Sequence, residues 1–245
     1  MKRRSPVARY PKPRPVRSHA ARPASSKPRP PYVVAITGAS GAVYGHRLVL
    51  ALARRGQPLF LVISRVGFLT LASEMDLAVP PPERRSTPEK AGLMGENPVA
   101  RLFPELSVLE RRRITFCHED DLQAPPASGS SDLAGMIIAP CSMKTVAAIR
   151  AGLASTLITR AADVTIKERR PLLLIPRETP LSAIHLDNLL ALSRLGAIIL
   201  PPMPAFYDRP RTLDDLVDLT VSRALKLLGF PVPGLDGRRW FPEND

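Results

Sequence analysis

A doubly wound α/β fold, a parallel sheet with helices on both faces, is what this sequence predicts, and three observations carry the prediction. Short, continuous apolar runs recur along the chain. Patterns with apolar residues at three and four spacing separate them. Two of the runs lead directly into loops of glycine, serine and threonine, as strand ends do where such sheets bind ligands.

The runs are VVAIT (33 to 37), LFLVI (59 to 63), GMIIAP (135 to 140), LLLIP (172 to 176) and AIILPP (197 to 202). Unbroken apolar runs suit strands buried on both faces, because a half-solvated strand would alternate. Helices are expected over 42 to 55, 65 to 75, 142 to 152, 182 to 195 and 212 to 228. In the last of these Leu213, Leu216, Val217, Thr220, Ala224 and Leu227 make a stripe expected to face the core. Residues 78 to 113, with VPPPERRSTPEK and LERRR, lack a clear period and read as a surface excursion, expanded over 83 to 113. The remainder is one Rossmann/flavodoxin-like domain over 32 to 230, followed by a tail or aromatic flap over 231 to 245 that carries Trp240.

The chain has 245 residues and a net charge of +13, which invites a nucleic-acid reading. Residues 1 to 31, however, hold ten Lys or Arg, no Asp or Glu and eight of the 28 prolines. Without them the charge is +3, too small for a basic binding face. That tail has too few large apolar residues to offset the entropy of ordering and is expected to be disordered. It lacks the apolar run of a secretory signal, and Pro6, Pro11, Pro13 and Pro15 interrupt any amphipathic targeting helix. No apolar run approaches bilayer thickness, so a cytoplasmic protein without membrane or nucleic-acid partners is expected. Cys117 and Cys141 form no disulfide framework, and His19, His46, His118 and His185 are scattered, so no metal site is expected.

In Thr37-Gly38-Ala39-Ser40-Gly41, glycines allow backbone N–H groups to approach an anion while Ser40 adds a hydroxyl and the following helix a favourable dipole. Similar turns open dinucleotide-binding units, but the G-x-G-x-x-G spacing is not met. A second such loop, Ala139-Pro140-Cys141-Ser142-Met143-Lys144-Thr145, follows another buried strand, which implies one ligand spanning a crevice. Cys141 reads as a buried small hydrophobe, since no histidine sits at a partnering position. Arg160, Lys167, Arg177 and Arg223 form a set of cations suited to holding a phosphate and stabilising it as a leaving group. The competing reading, surface ion pairs with Glu168 and Glu178, is accepted for Arg169 and Arg170. Phe206 and Tyr207 supply an aromatic wall with a phenolic donor. On position alone Glu74 reads as a solvated carboxylate at a helix end, with a pocket-rim acid or base as the alternative.

Taken together, ITGASGAVYG, ASEMD, PPASGSS, APCSMKT, RAADVTIKERRPLLLIPRETPLSAIHLDN and PPMPAFY, in this order, resemble the flavin prenyltransferase (UbiX-like) family from about Tyr32 to Phe230. The resemblance implies an enzyme that joins dimethylallyl monophosphate to N5 and C6 of reduced FMN. It makes the prenylated flavin used by UbiD-type decarboxylases and needs no metal. It implies FMN binding by Gly38, Ala39, Ser40, Ser64, Ser142, Met143, Lys144, Thr145 and Arg177. It assigns proton handling to Ser40 and Glu74, which displaces the solvated reading of Glu74. Lys167, Tyr207 and Arg223, with Arg160 as a weaker candidate, would hold the substrate phosphate. It also implies a homododecamer with sites shared between subunits. The alternatives are a flavin-dependent cysteine decarboxylase, for which His46 lies within a helix and the P-x-M-N motif is replaced by PPMPAFY, and a non-catalytic flavin carrier. An aromatic-acid decarboxylase acting directly leaves the gathering of phosphate ligands unexplained.

Overall fold

The computed structural model describes residues 29–77 and 98–232. The basic tail, the heart of the Pro-rich excursion and the region around Trp240 lie outside them. Six parallel strands form the sheet: β1 (Tyr32–Ile36), β2 (Leu59–Ile63), β3 (Ile114–His118), β4 (Gly135–Cys141), β5 (Leu172–Pro176) and β6 (Ile198–Ile199). Their spatial order is β3-β2-β1-β4-β5-β6, so the chain works outward from β1 to one edge and then returns to build the other side. The reversal lies between β1 and β4, and there the loops leaving the two strand ends diverge and open a crevice.

Alternate residues of the central strands feed two separate cores. Val34 and Ile36 of β1, Ile137 of β4 and Leu173 and Ile175 of β5 face one core. It is covered by α1 (Ala42–Arg54), α2 (Arg65–Met75) and α8 (Leu213–Leu227). Val33, Ala35, Met136, Ile138, Leu172 and Leu174 face the other. That side is covered by α5 (Met143–Arg150), α6 (Leu157–Lys167) and α7 (Ala183–Arg194). Both faces are dry, which explains the unbroken apolar runs.

Departures from expectation have local causes. The strand expected over 197 to 202 is only Ile198–Ile199. Leu200 N–H still reaches the Leu174 carbonyl, but Pro201 and Pro202 have no N–H with which to extend the ladder. β3 and α6 were not expected. β3 is an edge strand whose Thr115 is exposed and whose His118 is half-buried, so its apolar run is broken. α6 starts at a reciprocal Thr156–Thr159 capping box.

The largest correction concerns the excursion. Beyond Pro98 come two short helical turns, α3 (Val99–Leu102) and α4 (Val108–Arg111). Val99, Leu102, Phe103 and Leu106 are buried in the first core, so this stretch is packed structure. His46, on α1, holds it: its ring stacks on Phe103 at 4.8 Å, and Nε2–H donates to the Leu102 carbonyl at 2.8 Å.

α1 lies close against β4 because position 45 is glycine. A Cβ there would fall 2.0 Å from the Ala139 carbonyl oxygen. Among the described residues no helix is long and apolar enough to cross a membrane.

Candidate functional site

The first loop leaves β1 at Thr37 and turns into α1 at Gly41, whose φ of 100° is a left-handed conformation that favours glycine. Gly41 has no side chain with which to cap the helix. Glu74, from the last turn of α2, does so instead: its Oε2 accepts from the N–H of Gly41 at 2.8 Å and of Ala42 at 2.9 Å. The reading of Glu74 as a carboxylate free in solvent is therefore corrected; it is exposed but seated on the loop. An anionic oxygen held by two amides at a helix start shows directly that this end of α1 accepts negative charge.

The other strand ends carry matching devices. Ser64 caps α2, with Oγ accepting from Gly67 N–H at 3.0 Å. Ser142 caps α5, accepting from Thr145 N–H at 3.3 Å and lying 3.0 Å from the Thr145 hydroxyl. Met143 is buried and Lys144 exposed in the first turn of α5. Arg177 follows β5, with its N–H donating to the Cys141 carbonyl at 3.3 Å. Three helix starts and an arginine thus share the carboxyl edge of the sheet.

A cavity of about 360 Å³ opens at this edge. Its polar lining is Ser40, Gly41, Glu74, Tyr44 and Arg177; Leu213, Leu216 and Val217 of α8 make an apolar wall. Burial pushes the Tyr44 phenol above its ordinary pKa, and the nearby Arg177 cation works against that shift. Sequence reasoning missed Tyr44, although its place three residues after Gly41 puts it one turn from the loop. The stripe on α8 also needs correction. Val217, Thr220 and Ala224 are buried, but Leu213 is 81% exposed and belongs to the cavity rim.

Cys141 is fully buried, and desolvation raises its thiol far above the ordinary range, as suits a packed hydrophobe. Among the described residues no three of His, Cys, Asp and Glu come together to hold a metal.

The cations do not gather in one chain. Arg160 and Lys167 lie on α6, across the sheet from α1 and α8. Arg160 bonds Asp163 at 2.9 Å and the Ala127 carbonyl at 3.1 Å. Lys167 pairs with Glu168 at 2.9 Å, and that contact holds the Glu168 carboxyl below its ordinary pKa. Lys167 ends α6 just before β5 begins, whereas Arg177 follows where β5 ends. The five residues of β5 alone separate those edges by roughly 17 Å. Arg223 is exposed, seven residues beyond Leu216, or about 10 Å further down α8. Tyr207 is 62% exposed on the turn Phe206–Asp208. Arg170 does more than sit beside Glu168 as expected: its charge adds to the Lys167 contacts that lower the Glu168 carboxyl, while its Nη2 donates to the carbonyls of Gly129 and Ser131.

Comparison with known proteins agrees with this geometry. The Flavoprotein family profile matches residues 20–225. The chain is 43% identical over 198 residues to flavin prenyltransferase UbiX of Pseudomonas aeruginosa, covering 81% of this chain and 88% of that one. It is 44% identical over 209 residues to the mitochondrial flavin prenyltransferase PAD1 of Saccharomyces cerevisiae, covering 85% and 75%. The crystal structure of AnUbiX (PadA1) in complex with FMN and dimethylallyl pyrophosphate superposes with a TM-score of 0.69 at 39% identity, over 82% of this chain and 93% of that one. A dodecameric FMN-dependent UbiX-like decarboxylase from Escherichia coli O157:H7 gives 0.66 at 40%, over 85% and 100%. The FMN-dependent cysteine decarboxylase TvaF, at 13% identity and 0.51 over 82% and 99%, shares the fold alone. With its glycine loop, capping glutamate and switch-point crevice, the chain belongs to the flavin prenyltransferase family.

Proposed function

We propose that this chain transfers the dimethylallyl group of dimethylallyl monophosphate to N5 and C6 of reduced FMN, releasing phosphate and yielding prenylated FMN for a UbiD-type decarboxylase. The observation that carries this reading is the paired loops at the β1/β4 crevice. One has its helix start already engaged by a carboxylate, and a cavity with an arginine and an apolar wall lies beside it. These features fit a flavin phosphate on the loops and a flat ring against Leu213, Leu216 and Val217.

When bound, the reduced flavin supplies the electron-rich N5 and C6 that the prenyl unit joins. Gly38, Ala39, Ser40, Ser64, Ser142, Met143, Lys144 and Thr145 hold FMN through loop amides and hydroxyls, and Arg177 helps neutralise its charge. As the allylic C–O bond breaks, its electron pair leaves with the phosphate, and fixed cations stabilise that developing charge without a metal. Lys167, Tyr207, Arg223 and Arg160 are the proposed phosphate ligands. Since Lys167 and Arg160 lie across the sheet from the cavity of their own chain, they reach it from a second copy, in keeping with a homododecamer. Ser40 and Glu74 would handle the protons: one is given up at N5 as the prenyl carbon joins it, and the bond to C6 uses the prenyl double bond, which takes up one proton while one is released from C6 to this pair. Both loop amides bond Oε2 of Glu74, so its second oxygen is left for that proton.

A cysteine decarboxylase would use a histidine near the first loop, but His46 is buried beneath Phe103 and bonded to Leu102. Anaerobic incubation with reduced FMN and dimethylallyl monophosphate is expected to give a flavin heavier by one C5 unit by mass spectrometry. No mass gain from folded, FMN-loaded protein overturns the assignment.

A further inference from the structure

Thr37 stands between the two phosphate-facing loops, and nothing derived so far gives it a task. The loops come from strands 103 residues apart in sequence; the β1–β4 ladder fixes the strands as far as Ala35 and Ile138, but beyond it something else must hold the loops together. The Thr37 hydroxyl does: it donates to the Pro140 carbonyl at 2.8 Å and accepts the Ser142 N–H at 2.8 Å. Thr37 N–H reaches the same Pro140 carbonyl at 3.2 Å. Ser142 is the cap of α5, so its N–H lies outside the helical ladder and depends on this acceptor. At 2% exposure Thr37 cannot touch a ligand in the crevice.

We propose that Thr37 is a positioning residue whose single hydroxyl latches the β1 loop to the β4 loop and thereby sets FMN affinity without contacting FMN. The inference rests on the flavin reading above. One loop carries Gly38, Ala39 and Ser40, the other Ser142 to Thr145, and one phosphate must satisfy both. A shift of either loop misaligns donors whose geometry is otherwise intact. Removing the hydroxyl while keeping the shape leaves a buried amide unsatisfied, the costly way to lose a hydrogen bond.

The test compares wild type, Thr37→Val and Thr37→Ser for FMN dissociation constant, thermal midpoint without ligand, and hydrogen exchange over 141 to 145. Thr37→Val is expected to weaken FMN binding by about tenfold to a hundredfold. Thr37→Ser, which keeps the latch, stays within about threefold of wild type and restores slow exchange at Ser142. A purely structural threonine would lower the midpoint but leave the affinity of the folded protein unchanged, and that result overturns the proposal. So does a Thr37→Ser variant as weak as Thr37→Val. If Thr37→Val does not fold, Thr37→Ser decides alone: loss of affinity or of Ser142 protection refutes the latch, and retention of both supports it. If wild type binds no FMN, the flavin reading fails separately. The latch then stands or falls on whether Ser142 exchanges at least about tenfold faster in Thr37→Val.

Discussion

Replacing Glu74 separates two things that one carboxylate does. Both loop amides, Gly41 and Ala42, donate to the same oxygen, Oε2. Glutamine offers one neutral carbonyl oxygen of the same reach, so Glu74→Gln keeps both hydrogen bonds and loses the charge at the start of α1. On an exposed helix end that charge contributes about 0.5 kcal/mol. Alanine removes the cap altogether, costing about 1 kcal/mol, or a few degrees in melting temperature for a chain of this size. The proton task is different in scale, since loss of a positioned acid or base lowers rates by roughly 10² to 10⁴. Glu74→Gln is therefore expected to melt within about 2 °C of wild type, bind FMN within about threefold, and form prenylated flavin at least about 100-fold more slowly. Glu74→Ala is expected to lose stability, FMN affinity and turnover together. The assay is anaerobic single-turnover chemistry followed by mass spectrometry, beside thermal melts of the same samples. Turnover of Glu74→Gln within twofold of wild type would refute the proton role and leave Glu74 as a cap only.

Three further outcomes follow from the geometry. Ser40→Ala and Lys167→Ala chains, each inactive alone, are expected to regain activity when co-assembled, because a mixed site can draw an intact loop from one chain and an intact lysine from another. Mixtures no more active than their parents would place Lys167 outside the site. For His46, desolvation is the main cause that depresses the folded pKa; the bond to Leu102 and the Glu105 carboxylate oppose it, and Arg47 adds to it. A histidine with a lowered folded pKa binds more protons when unfolded, so the stability it contributes is present above about pH 6.5 and is lost as pH falls toward the folded value. Urea midpoints should fall between pH 7.5 and 5.5 and flatten in His46→Gln; an undiminished slope in that variant would assign the effect elsewhere. Gly45→Ala drives a Cβ into the Ala139 carbonyl, a backbone atom that cannot step aside, and is expected to cost on the order of 3 kcal/mol by denaturant midpoint.

Where the residues themselves encode a physical constraint, the sequence could be read. The runs from Leu59 to Ile63 and from Leu172 to Pro176 are strands to the residue, because burial on both faces demands an unbroken apolar stretch. The helices expected from 65 and from 142 do begin there, at Ser64 and Ser142, because serine satisfies amides that a helix leaves orphaned. α6 was missed because Thr159, Ala161, Ala162 and Thr165, small or polar by letter, are all buried on its inner face. β3 was missed because Thr115 and His118 interrupt its apolar residues, as the edge of a sheet permits. Val99, Leu102 and Phe103 escaped notice beside proline and arginine, since their burial depends on His46 and the other partners in a core that forms only in three dimensions. At the site, the loops and Arg177 were visible because they follow strands. Glu74 as a cap on Gly41 was not, because their contact joins residues 33 apart. That the cations divide between opposite edges of one chain required the topology.

α1 is held at two points by what comes before and after the stretch from 78 to 97. Glu74 grips its first amides, and His46, one turn along, grips Leu102 and Phe103 on the chain's return. The intervening segment is thus tied down at both ends on a single helix. What α1 presents to the crevice is therefore set by residues on either side of that stretch, each held to the helix directly. Two clamps, one on its first amides and one a turn along, give α1 a fixed reference against which the crevice is built.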